Sequence, residues 1–91
     1  MSISNQIKVL EEKNTELSKE ILLNETAVYE VEKKFLNIDK DIIEHPEIQA
    51  YVNSLQDLLR KIKFKNEIYK KEIYENNIKI SNLEEGNENN E

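Results

Sequence analysis

Few side chains in this sequence could carry out chemistry. His45 is the only histidine, it stands beside the only proline, Pro46, and the chain has no cysteine. Imidazole is the usual general acid or base, but such catalysis needs a nucleophile or a fixed acid beside it, and the spacing around His45 supplies neither. His45 therefore reads as a polar turn residue. The 19 acidic residues fall on strongly charged stretches. None pairs with the histidine at a metal-ligand spacing. The single glycine, Gly86, leaves no phosphate-cradling loop to be built. These residues predict a protein that is not an enzyme, with no catalytic, cofactor-binding or metal-binding residues and no cofactor.

The remaining candidate for chemistry is basic. From Arg60 to Lys71 the sequence RKIKFKNEIYKK holds six cations and one acid, in a chain whose formal net charge is −6. Cations interleaved with Phe64 and Tyr69 can mark contact with nucleic acid. On a helix, however, these six would spread around the cylinder, and Lys63 and Lys70 would have acidic neighbours. A solvated, internally compensated face is the expectation, and nucleic acid is not an expected partner.

The elements that would position these residues follow from periodicity. Steps of three and four visit Ile3, Ile7, Leu10, Asn14, Leu17, Ile21, Asn24, Val28, Val31, Phe35, Ile38 and Ile42 in the first half. In the second half they visit Ile48, Val52, Leu55, Leu59, Ile62, Asn66, Tyr69, Ile73, Asn76, Ile80 and Leu83. A repeat of 3.5 residues sustained over five heptads is the coiled-coil pattern. The break before Pro46 suits a helix end followed by a helix start. The fold expected is all-α. Helix one would run over about 3–42, a turn over 43–47 and helix two over about 48–84, within a hairpin domain of residues 1–85. The polar stretch 86–91, GNENNE, has nothing to bury and is expected to be disordered.

A short turn makes the two arms antiparallel neighbours. Pairing residues whose numbers sum to 90 sets Ile42 against Ile48, Phe35 against Leu55 and Val28 against Ile62. The same register sets Asn24 against Asn66 and Asn14 against Asn76. An amide in an apolar seam destabilises unless its partner hydrogen-bonds it, so these four asparagines are the expected register-setting residues. Glu25 and Glu32 then fall near Lys70 and Lys63. Two arms of about 38 residues predict a rod of about 57 Å. A parallel dimer through the first arm alone is the competing arrangement. It would accept Asn14 at an a position but leaves Asn24 at d unexplained.

The first arm also carries Leu22, Tyr29, Leu36 and Ile43 at strict seven-residue spacing, outside the seam. Such a row usually marks contact with a further helix. Phe64 and Ile68 form a second expected patch on the outside of the second arm, near Tyr74 and Ile78. These six residues are the candidate protein interface, used either by a second copy in a four-helix bundle or by another protein.

Residues Asn24-Glu25-Thr26-Ala27-Val28-Tyr29-Glu30, with Phe35-Leu36, Lys40 and Ile43 after them, resemble the central segment of β-class prefoldin subunits. The second arm is similar to their C-terminal helix in its apolar spacing. The resemblance covers about 60 residues. It implies a β-hairpin within 27–38, where the heptad pattern implies helix, and the glycine of that family's strand is absent between Val31 and Phe35. In outline the hairpin is equally similar to the first two helices of tubulin-binding cofactor A. Either resemblance implies a small non-catalytic chaperone.

The function expected is a protein–protein interaction module, an adaptor or chaperone-like helper. The alternative is a small acidic inhibitor, of the kind mobile elements encode, that sequesters a host protein. No apolar run approaches the ~18 residues of a membrane span, and MSISNQIKVLEE lacks the pattern of a secretory signal. An intracellular, cytoplasmic location without membrane contact is the corresponding expectation.

Overall fold

The computed structural model describes residues 2–89. Helix α1 runs Ile3–Leu36, a single-turn helix α2 runs Lys40–Ile43, and α3 runs Pro46–Asn89. There is no strand among the described residues. The long helices pack against each other as an antiparallel hairpin, and α2 packs on α3.

Local chemistry explains where the helices start. Ser2 caps α1: its hydroxyl accepts the Asn5 N–H at 3.1 Å and its carbonyl accepts the Gln6 N–H at 3.0 Å. Pro46 opens α3, where its missing N–H costs nothing, and the Gln49 N–H closes the first turn on the His45 carbonyl at 2.8 Å. Inside the helices the hydroxyls of Thr15, Thr26 and Ser54 donate to carbonyls four residues back. They therefore do not compete for the helical ladder.

The turn corrects the sequence expectation. The first long helix ends at Leu36 rather than near 42. Lys33 and Lys34 occupy its last turn, where cations favour the helix dipole. The Asn37 and Ile38 N–H groups reach back only three residues, to the carbonyls of Lys34 and Phe35. The Asp39 carboxylate then accepts the Asp41 N–H at 3.3 Å and caps α2. Asn and Asp side chains compete with helix in this way, so two of them within three residues end a helix without glycine or proline. The turn expected over 43–47 is thus a longer connection over 37–45 that encloses α2.

Because this connection shifts the phase of the repeat, Ile42 leaves the seam and stands 50% exposed, while Ile43 becomes half-buried. The expected Ile42–Ile48 pairing is therefore not formed, and Ile43 does not belong to the exposed row. At the other end α3 runs to Asn89 rather than 84, so residues 86–89, expected to be disordered, are helical; residues 90 and 91 lie outside the described residues. In the hairpin register the start of α1 lies alongside this last stretch of α3. Residues 27–36 are helix, as the heptad pattern requires, so the strand implied by the prefoldin resemblance is not formed there.

The rod measures 70 × 17 × 15 Å. It is longer than the expected 57 Å because α3 has 44 residues, about 66 Å of helix at 1.5 Å per residue. Its core is thin. Among the described residues the buried apolar side chains are Leu17, Val28 and Leu59. The other apolar seam residues before the turn, and those on α3, are half-buried, because two helices shield a seam on two sides only.

Candidate protein interface

Two asparagine layers fix how the helices meet. In the layer nearer the turn, the Asn24 amide donates to Asn66 Oδ1 at 2.8 Å, and Asn66 Nδ2 donates to the Ile21 carbonyl at 3.2 Å. In the layer nearer the open end, Asn76 Nδ2 donates to Asn14 Oδ1 at 2.9 Å and Asn14 Nδ2 donates to Asn77 Oδ1 at 3.0 Å. Asn66 and Asn76 are each only 5% exposed. No buried side-chain nitrogen or oxygen among the described residues lacks a partner. Both layers obey the register in which residue numbers sum to 90. Moving α3 by one seam position would break every one of these bonds, so the polar layers select one alignment of an otherwise repetitive seam.

One flank of the rod carries the interhelical ion pairs. Lys63 Nζ lies 2.7 Å from Glu32 Oε1, and Lys70 Nζ lies 3.6 Å from Glu25 and 3.6 Å from Glu67. All these side chains are about half exposed or more, so each pair is worth at most ~1 kcal/mol. Arg60 is bound within its own helix to Asp57 at 2.6 Å, and the Lys65 ammonium lies 5.7 Å from the Tyr69 ring centroid. The six cations of the Arg60–Lys71 run point in many directions around α3. They do not line one basic face.

The exposed apolar row on α1 lies beside these pairs. Leu22 and Tyr29 are well exposed and Leu36 is 86% exposed. Tyr29 shares a groove of about 410 Å³ with Phe64 of α3. Val28 and Asn66 also line it, and Glu25, Glu32, Lys63, Glu67 and Lys70 edge it. The structure thus joins Phe64 to the α1 row across the rod. Ile68, expected to form a patch with Phe64, lines a different groove with Lys71, Glu72, Glu75, Asn76 and Lys79.

Four exposed apolar residues escaped the sequence reading: Val9, Leu23, Tyr51 and Leu58. Tyr51 and Leu58 are seven apart, the same signal that revealed Leu22 and Tyr29, but with only two members. Val9 lines an apolar groove at the open end with Leu10 and Leu83. His45 sits exposed in the connection. Among the described residues no group of three or more His, Asp or Glu side chains is arranged to hold a metal ion, and no helix is long and apolar enough to cross a membrane. Compared with protein-family models, with curated proteins and with solved structures, the chain matches none.

Proposed function

We propose that this protein is a non-catalytic interaction module, an adaptor or chaperone-like helper, that contacts another protein chain through the flank carrying Leu22, Tyr29, Leu36 and Phe64. One observation carries the reading. A row of three large apolar residues keeps heptad spacing over two repeats and stays exposed after the hairpin has closed its own seam. Scattered exposed leucines are ordinary on a protein surface, whereas an aligned apolar row beside a polar rim is the usual form of a contact site.

The test is sedimentation velocity of fluorescently labelled chain in dilute cell extract, comparing the unmodified protein with a Tyr29→Glu, Leu36→Glu double variant. The unmodified chain should move as a heavier species and the variant at its own mass, with equal far-UV circular dichroism. An apolar contact should also persist at high salt, whereas one lost on adding salt would favour charge-driven binding by an acidic inhibitor. Identical sedimentation of the two chains would remove the row from the interface.

A further inference from the structure

We infer that the flank holding Tyr29 and Phe64 binds a second copy of this chain, in a dimer whose twofold axis runs along the rod, so that the two turns lie at the same end. This rests on reading that flank as the contact surface and names its occupant. Charge and height on the rod decide the occupant. Residues 16–32 of α1 carry five acidic side chains and one lysine, net −4, whereas residues 58–74 of α3 carry six basic and two acidic, net +4. The register that sums to 90 places these two segments at the same height on the rod. On the flank itself α1 presents Glu25 and Glu32, and α3 presents Lys63 and Lys70 with Glu67 beside them.

Only some ways of facing two such hairpins are favourable. A twofold along the rod sets α1 of one copy against α3 of the other at equal height, so that Glu25 and Glu32 of each copy face Lys70 and Lys63 of the other. The pairs Glu25–Lys70 and Glu32–Lys63 would then become squares of alternating charge, each carboxylate between two ammonium groups. Burying an ion pair is unfavourable unless each charge is well partnered, and the square gives each charge two partners. A twofold across the rod instead sets Glu against Glu and Lys against Lys. The apolar residues agree with the first arrangement. Phe64 stands at the height of residue 26, so it would meet the second copy between Leu22 and Tyr29, as a knob between two neighbours of one row.

The size also fits. From Leu36 to the height of Tyr74 is about 20 residues, about 30 Å, on a face 17 Å across. That flat footprint of roughly 500 Å² is somewhat below the ~800 Å² per partner of a standard interface. It sets the expectation of a dissociable dimer in the micromolar range. The occupied flank would also cover the exposed side of a thin core.

The experiment uses the full chain at concentrations from micromolar to millimolar. Sedimentation equilibrium should show a change from the 10.8 kDa chain to twice that mass. Phe64→Glu should weaken dimerisation by about 30-fold or more, as loss of a central aromatic contact does, with helicity unchanged. A spin label on His45→Cys, a site in the exposed connection, should report a distance within about twice the 15–17 Å width of the rod. A dimer whose labels lie about 50 Å apart, where a twofold across the rod at the height of Tyr29 and Phe64 would put them, would overturn the symmetry. A Phe64→Glu chain that dimerises as before would overturn the face. A chain that stays monomeric throughout would overturn the second copy as occupant. The contact surface itself would still stand in that case if the extract experiment shows a heavier species lost in the double variant.

Discussion

Helix α1 carries two apolar rows with the same heptad period and different fates. The seam row, with Leu17 and Val28 at its centre, is closed by α3 and checked by paired asparagines. The outer row, Leu22, Tyr29 and Leu36, has no asparagine and no covering helix. The difference teaches that apolar spacing alone does not decide what is core. A row becomes core when the same chain supplies a matching row at the right height and its polar interruptions find each other. The outer row meets the first condition nowhere in this hairpin, and the proposed contact with another chain would supply it.

The largest test of this contrast exchanges apolar for charged residues in the two rows. Val28→Asp buries a carboxylate with no partner, a cost of several kcal/mol that a thin two-helix core cannot absorb, so far-UV circular dichroism should show loss of helix. Tyr29→Glu, one residue away, should leave the spectrum intact. Next in size, Leu59→Ala should destabilise the chain by about 2–4 kcal/mol, seen as a lower denaturation midpoint at unchanged slope.

The two asparagine layers give a finer comparison. Asn66→Ala leaves the Asn24 amide without its partner across the seam, while the Ile21 carbonyl keeps its helical bond, and should cost about 1–3 kcal/mol. Asn76→Ala should cost less, because Asn14 keeps its bond to Asn77. Equal losses would mean that the layers do not depend on these separate partners. Smallest of all, Lys63→Gln removes a half-exposed ion pair and should change hairpin stability by no more than ~0.5 kcal/mol, with little sensitivity to salt.

Much of this architecture could be read from the residues, and the exceptions have physical causes. The seam was legible because about nine turns of α1 and twelve of α3 repeat one pattern, and because four asparagines can be paired by one register only. The end of α1 was not legible from breakers, since neither glycine nor proline marks it. Its signal was the Asn37 and Asp39 pair, of which Asp39 accepts the Asp41 N–H with its carboxylate and so starts a new helix. Missing that stop carried the repeat through Ile42 and put Ile43 in the wrong row. On α3 the α1-facing groove of Phe64 was hidden because its outer residues are irregularly spaced, so only the packed rod shows that Phe64 and Tyr29 share a groove and Ile68 does not.

The central claim is that the outer row, and not the opposite flank, touches another chain. It is tested most directly by photo-crosslinking from single positions of the otherwise unmodified protein, with the reactive side chain placed at Leu36 or, on the other flank of α1, at Glu20. The account predicts a strong crosslinked species from Leu36, to a second copy or to another protein, and little from Glu20. Equal yields from the two positions, or a higher yield from Glu20, would contradict it.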